Sequence, residues 1–565
     1  MSKAIRSLCA ATLLLLGCAT NNAVASGRVP AAEAQVAVGN TKALVPVLAY
    51  HNVLLTKDED EQRESVTIDS LSRQFAWLAA KGYTPITVGQ LLRAAESPES
   101  LPSKPILLTF DDGFESTYTH VLPLLRAYQW PALVAVVGSW VEAREANDVP
   151  ASPGQPRFMN KQQIRELNES GLIEFASHTF DLHHGLQANA WNNQQPAAVT
   201  RAWADSRLES DAQWDARVRS DIARNQEYIR GLTGKAPQAL VWPYGRYNDA
   251  LKVVSKQRGL AVLFTLDDGI SDVTKGLGGI RRHLITREEM EGDLASVLEP
   301  SETATSPVRA VRLKVSELAE PLPGEAPTKS GSAGASMSEA LNKLLAAGGN
   351  TLILDPFERV DDKVVTSYFP NSVLPLARDY ANRVVALASG KAGYLTWLTV
   401  SLNTSAYKGL TKPQILQLVE DAAKAMPLAG VVIENAQQVE AAELTAIGKR
   451  IATWRSSPTI VLDWKGPVGP QAMQTAKQAG AQYVIADPGA LSEAVQDRSS
   501  LVVDVGASAL EGVHAAARAG YVNFSFGSIP PATLDWLTAF SLRGRPLQRV
   551  LLPEEVSVAK GIRKD

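Results

Sequence analysis

Leu107-Leu108-Thr109-Phe110-Asp111-Asp112-Gly113 is the stretch from which the fold is read. Its apolar run has the pattern of a strand covered on both faces, the mark of a parallel sheet packed under helices. The run stops on two adjacent carboxylates, and Gly113 permits a sharp exit from the strand. Asp111 and Asp112 are thereby expected at the C-terminal end of a strand, where barrel enzymes keep their chemistry. A second apolar run, Leu172-Ile173-Glu174-Phe175-Ala176, leads into Ser177-His178-Thr179-Phe180-Asp181-Leu182-His183-His184. The chain has seven histidines, and three of them fall in this one span after a strand-like run. One aspartate with two histidines is a ligand set for a catalytic divalent metal with a position left open for water.

Outward from these runs, strand and helix patterns alternate. Val45 to Tyr50, Pro105 to Phe110, Ala132 to Val137, Ile173 to Ala176, Ala239 to Trp242 and Ala261 to Thr265 read as strands, and Leu71 to Lys81 and Asp211 to Thr233 as helices. Such alternation implies a parallel sheet, most simply a (β/α) barrel, over residues 43–298. Glu142 to Gln155 and Gly185 to Ala212 lack regular pattern and read as long loops shaping a groove. Composition turns to Pro, Ser, Thr, Gly and Ala between Glu299 and Ser338, read as a linker (299–338). A second alternating series fills 339–565. Thr351 to Asp355, Gly430 to Glu434, Thr459 to Asp463, Tyr483 to Asp487 and Leu501 to Asp504 are apolar runs that each end in an acid, the pattern of a second barrel with carboxylates on its rim. The fold class is therefore α/β, with two (β/α) barrel-like domains.

The chain has 565 residues, 45% of them apolar, enough for more than one core. A net charge of −3 offers no basic patch for nucleic acid, and a neutral polymer suits such a surface. Lys3 and Arg6 precede an apolar run from Leu8 to Leu16, too short to span a bilayer but right for a secretory signal. Leu15-Leu16-Gly17-Cys18 resembles a bacterial lipoprotein cleavage box, which makes 1–18 the signal and Cys18 the lipidated first residue of the mature chain. Cys9 and Cys18 are the only cysteines, so no disulfide is expected in the mature chain. Residues 19–42 read as a tether. Ala19 after the lipid site resembles default sorting to the outer membrane, so the expected location is the periplasm, anchored to the outer membrane.

Thr109-Phe110-Asp111-Asp112-Gly113 and Ser177-His178 with His183 resemble the first two motifs of the polysaccharide deacetylases, carbohydrate esterase family 4. Val47 to Val53, Val137-Gly138-Ser139-Trp140 and Val241-Trp242-Pro243-Tyr244-Gly245 place the nearest resemblance among members that act on poly-β-1,6-N-acetyl-D-glucosamine. The resemblance implies a distorted barrel of fewer than eight strands and partial N-deacetylation of an exported polymer in support of a biofilm matrix. It implies Asp112, His178 and His183 as metal ligands, Asp111 as general base and the Tyr244 backbone N–H as a stabiliser of the oxyanion. It also supports His51 at the substrate site. Zinc, nickel, cobalt and iron suit the ligand set alike. An outer-membrane export porin is the implied partner.

The departures carry their own expectations. Where many members have Arg before the Pro-Tyr pair, this chain has Trp242, which is read as stacking on a sugar ring, so something else must orient Asp111. His283 lies in the region of the family's histidine acid, with partly buried structural histidine as the equal alternative. His184, next to His183 on an extended segment, points the other way. Tyr368-Phe369-Pro370-Asn371 and Leu374 to Asn382 resemble the glycoside hydrolase domain that follows the deacetylase in these proteins, but a His-Asp-Asp run is replaced by Glu434-Asn435-Ala436. A sugar-binding or degenerate hydrolase barrel is the favoured reading, with Glu434 the residue that would restore hydrolysis. Deacetylation of chitin or peptidoglycan, and a non-catalytic export scaffold, are the alternatives to the leading function.

Overall fold

The structure, a computed structural model, describes residues 43–57, 64–146, 156–188, 194–267, 269–287, 289–298, 307–317, 348–389, 394–452, 458–506 and 509–527, with a few isolated positions beyond these. The signal, the tether and Cys18 lie outside the described residues.

The first domain is built on β1 (Val47–Tyr50), β2 (Thr84–Pro85), β3 (Pro105–Phe110), β4 (Ala132–Val136), β5 (Ile173–Ser177), β6 (Ala239–Val241), β7 (Val262–Phe264) and β8 (His283–Leu284). All pair in parallel, in the order β7-β6-β5-β4-β3-β1-β8, with β2 added beside β3. The arc is an open barrel, and one segment spans its gap: Ile280 bridges to Phe264 on one side while Leu284 pairs with Ala49 on the other.

Side chains alternate across each strand, and this parity decides what reaches the site. Val47, Leu107, Leu133, Ala135, Ala176, Ala239, Val241, Val262 and Phe264 pack together on the inner face. Leu48, Tyr50, Ile106, Leu108, Phe110, Val134 and Phe175 pack outward, with Leu71, Phe75 and Leu78 of α1 (Ile68–Ala80). The other long helix, α2 (Asp211–Thr233), starts with a capping box between Ser210 and Gln213 and stops at Gly234, whose φ of 78° only glycine adopts freely. It buries Trp214, Val218, Ile222, Asn225 and Ile229, a three- and four-residue spacing that puts one stripe on the sheet.

The second domain is a closed barrel of eight parallel strands: β9 (Arg309–Lys314), β10 (Thr351–Asp355), β11 (Leu395–Ser401), β12 (Gly430–Glu434), β13 (Thr459–Asp463), β14 (Tyr483–Ala486), β15 (Leu501–Asp504) and β16 (Asn523–Phe526), which pairs back to β9. Ala310, Ile353, Trp397, Val432, Val461, Ile485 and Val502 fill its interior. The same parity turns Asp355, Glu434, Asp463 and Asp504 inward at the rim. Both barrels expected from the alternating runs are present, with one correction: the first sheet has eight strands rather than fewer, since β2 joins beside β3 outside the main order. The linker read over 299–338 is corrected: Arg309–Lys314 inside it is the first barrel strand. Its Arg312, two residues after inward Ala310, faces inward and reaches Asp463 and Asp504 at 3.1 and 3.2 Å, a charge that breaks the apolar pattern of the strand.

Gly185 to Ala212 is also not a plain loop. It carries two short antiparallel ribbons and packs on the second barrel. There Gln195 donates to Asn382 Oδ1 at 2.9 Å and to the Ala425 carbonyl at 3.2 Å, and the Arg201 guanidinium lies between the rings of Trp214 and Trp454, 4.0 and 4.2 Å from their centroids. Part of the other expected loop, to Ala146, is helical. Among the described residues no helix is long and apolar enough to cross a membrane.

Candidate metal centre

At the C-terminal mouth of the first sheet, β3 ends and the chain turns at Asp112 and Gly113, with φ of 71° and 80°. β5 ends in His178 and Thr179, with Thr179 at φ 67°. After β6, Tyr244 has φ 57°. Non-glycine residues cost about 1 kcal/mol or more in this left-handed region. Three such residues at the ends of three strands of one sheet mark a mouth whose backbone is bent to aim side chains.

Asp112 Oδ1 lies 3.2 Å from Nε2 of His178 and 3.2 Å from Nε2 of His183. One ligand atom from each of the three falls within 4.8 Å of the others. His178 Nδ1 is 2.8 Å from the carbonyl oxygen of Val241, which can only accept, so Nδ1 is a donor there and Nε2 is the nitrogen turned to Asp112. Buried Asp112 Oδ1 has no hydrogen-bond partner of normal geometry. Two imidazole nitrogens and a carboxylate oxygen facing one point need positive charge between them, from a proton on an imidazole or from a bound cation. The donor set of Asp112, His178 and His183 fits a divalent metal.

Asp111 continues the inward parity of Thr109. Its Oδ1 accepts from Arg282 Nη1 at 2.8 Å, and the same guanidinium donates to Thr109 Oγ1 at 3.0 Å and to the Thr265 carbonyl at 3.1 Å. Both side chains of the ion pair are almost fully buried. Burial by itself raises the Asp111 carboxyl pKa, but Arg282, His178 and His51 together bring it below the ordinary value. Asp112 is subject to the same burial and is pulled well below that range by the imidazoles of His178 and His183 and the charge of His51. Both acids are therefore ionised at neutral pH. His51, which follows β1, brings Nε2 to 3.8 Å from Asp111 Oδ2 and so lies at the site. Tyr244 is 47% exposed, with its ring 4.4 Å from that of His183, while Trp140 flanks His183 on another side at 4.7 Å.

Arg282 is the residue that the motifs did not disclose. It takes up the orienting task left open by Trp242, entering from the segment that spans the barrel gap. Trp242 itself is a correction. Its side chain is completely buried with Trp214, Val218 and Ile222, so it cannot stack on a sugar. Val241 faces inward and Trp242, one residue on, must face the helix layer. Parity also settles His283, next to inward Arg282. Its Nε2 is 2.7 Å from Glu289 Oε1, and Glu289 also accepts from the Thr286 N–H at 2.8 Å, an outward structural network. His184 is exposed, as expected.

The rim of the second barrel has more acids and a different balance. Arg359 pairs with Asp355 and, at 3.6 Å, with Glu434. Arg312 pairs with Asp463 and Asp504, and Lys465 with Asp463 at 3.0 Å. Burial raises the Glu434 carboxyl pKa, with Arg359 opposing and Asp355 and Asp463 adding to the rise. Ala436, two residues after Glu434, is buried.

Residues 99–263 match the polysaccharide deacetylase family. The poly-β-1,6-N-acetyl-D-glucosamine N-deacetylase of Escherichia coli (strain K12) is 39% identical over 245 residues, which are 42% of this chain and 36% of the relative, so the match spans little more than a third of that relative's length. The solved BpsB deacetylase domain from Bordetella bronchiseptica is 39% identical and covers 43% of this chain and 96% of its own, with a TM-score of 0.38. The solved PgaB (BpsB) glycoside hydrolase domain from the same organism is 12% identical over 40% of this chain and 95% of its own, with a TM-score of 0.30.

Proposed function

We propose that this chain, whose residues 99–263 match the polysaccharide deacetylase family, is a metal-dependent hydrolase that partially N-deacetylates poly-β-1,6-N-acetyl-D-glucosamine. The observation that carries the reading is the convergence of Asp112, His178 and His183 on one point beside an aspartate held ionised by Arg282. A divalent cation bound there supplies Lewis acidity to an acyl oxygen and lowers the pKa of a water.

The chain's own residues do the rest. Asp111, anionic and fixed by Arg282, takes the proton of the attacking water, its second oxygen free of the guanidinium and facing His51. Because Arg282 also bonds Thr109 and the Thr265 carbonyl, it cannot swing away as the proton arrives. Attack on the amide carbon builds an oxyanion, for which the backbone N–H of Tyr244 is the proposed donor. Tyr244, Trp140 and His51 line the entrance and offer the sugar its stacking and polar contacts. Collapse of the tetrahedral centre breaks the C–N bond as the proton taken up by Asp111 passes to the departing nitrogen, releasing acetate and leaving a free amine on the sugar.

The second barrel is proposed to hold the polymer without cutting it, because its rim acids are matched by Arg312, Arg359 and Lys465 and Ala436 stands where an acid is missing. Cys18 is proposed as the lipid site of a periplasmic protein anchored to the outer membrane, where an export porin is the natural neighbour; loss of fatty-acid labelling in Cys18→Ser tests it. The catalytic reading is tested by acetate release from β-1,6-linked and β-1,4-linked N-acetylglucosamine oligomers, with and without chelator. Chelator-sensitive release from the β-1,6 oligomers is expected. Preference for β-1,4 oligomers assigns a chitin or peptidoglycan substrate instead, and no release from either leaves a binding scaffold.

A further inference from the structure

The two imidazoles of the metal centre are joined by Thr179, Phe180, Asp181 and Leu182, a stretch with no strand or helix pairing of its own. It is held on one side by the Ser139 N–H, which donates to the Phe180 carbonyl at 2.8 Å, and on the other by α2. Asp221 accepts the Phe180 N–H on Oδ1 at 2.8 Å and the Asp181 N–H on Oδ2 at 2.7 Å, so both carboxylate oxygens are committed to consecutive amides. One turn further along α2, buried Asn225 donates to the Val136 carbonyl at 2.9 Å and to Ser177 Oγ at 2.8 Å, which ties the helix to the two strand ends beside His178. The Arg224 guanidinium caps the Phe180 ring at 3.5 Å. On the opposite side Gly138 leaves no slack, since a Cβ there would lie 2.5 Å from Phe180 Cδ2 and 2.6 Å from Asn225 Oδ1.

Placing a carboxylate here is costly. Burial pushes the Asp221 carboxyl up to about 6, although two amides and Arg217 oppose the rise. An apolar residue would pack on α2 more cheaply, but it could not satisfy two amides turned away from any sheet. The strained φ at Thr179 needs such an external hold.

We propose that Asp221 is a positioning residue of the metal centre: by fixing the Phe180 and Asp181 amides it sets the distance and direction between His178 and His183, and hence metal affinity. The inference rests on reading Asp112, His178 and His183 as the metal ligands. It goes beyond that reading by assigning the ligand geometry to a helix that contributes no ligand.

The test uses the whole chain, stripped of metal and titrated with Co2+ while the visible spectrum is recorded, for the wild type and Asp221→Asn. The substitution keeps the size but replaces one acceptor by a donor that opposes an amide N–H. Expected is a Co2+ affinity lower by about tenfold or more, in the range seen for residues behind metal ligands, with an altered d–d band at saturation and a preserved cooperative thermal melt of the metal-free protein. Asp221→Asn with wild-type Co2+ affinity and an unchanged band overturns the positioning role and leaves the metal reading intact. A wild type that takes no Co2+ overturns the metal reading and this inference with it. Should Asp221→Asn lose its cooperative melt, Asp221→Ser, which retains one small acceptor, is measured in its place against the same two outcomes.

Discussion

Both barrels gather carboxylates at the C-terminal mouth of a parallel sheet, yet the two mouths are electrostatic opposites. In the first, Asp112 presents an oxygen without a hydrogen-bond partner to two imidazole nitrogens, and the guanidinium of Arg282 is committed to its neighbour Asp111. In the second, Asp355, Glu434, Asp463 and Asp504 are each within ion-pair reach of Arg359 or Arg312. Acids at strand ends do not by themselves make a reaction centre. Chemistry requires an acid that the fold leaves without an arginine or lysine partner, and of the acids named at the two mouths Asp112 is the one so placed.

The contrast is broken most severely at Asp111. Asp111→Asn should lower kcat for acetate release by about two to four orders of magnitude while leaving metal stoichiometry at one, which separates the base from the ligands. Equal loss of metal would merge the two roles. Next is Arg282→Met, which strands a buried carboxylate. It should cost about 3–5 kcal/mol in a denaturant titration, more than removal of Arg359 at the wetter rim. A milder change sharpens the account of the second domain. Asp379, before the helix Ala381–Ser389, has both oxygens buried without a partner of normal geometry, and burial, partly offset by the Asn382 amide, pushes its carboxyl up to about 7. A carboxyl raised above its unfolded value near 3.9 favours the folded state most at low pH and loses that contribution as pH climbs through about 7. Asp379→Asn should therefore stabilise by roughly 1–3 kcal/mol at pH 8 and by little at pH 4, as read from paired thermal melts. The smallest effect is expected at Glu434. Glu434→Gln should leave both acetate release and polymer length unchanged, and loss of a chain-cleaving activity in that variant would show that the second mouth is not balanced after all.

What the sequence disclosed and what it hid follow from range and parity. Thr109 to Gly113 and Ser177 to His183 were legible because each lies on a single strand end, where a short run of residues carries both the strand and the ligands. Arg282 was not, because it meets Asp111 across 171 positions and its own neighbours, Arg281 and His283, make it look like one of several polar residues in a turn. Trp242 was misjudged for want of a strand register. Once Val241 is known to face the barrel interior, Trp242 must join the helix layer. The first strand of the second barrel was hidden by the Pro- and Ser-rich sequence around it and by Arg309 and Arg312, which interrupt its apolar pattern until their buried or inward partners are seen. Asp221 carries no motif at all, since its partners are backbone amides.

Counting metal per chain tests the central claim most directly. Metal-stripped wild type, Asp112→Ala and His178→Ala would be reloaded with Co2+, desalted and analysed for bound metal alongside acetate release. One equivalent in the wild type, with neither metal nor turnover in either variant, is the predicted result. A variant that keeps both its equivalent of metal and its turnover would contradict the assignment of these side chains to one centre.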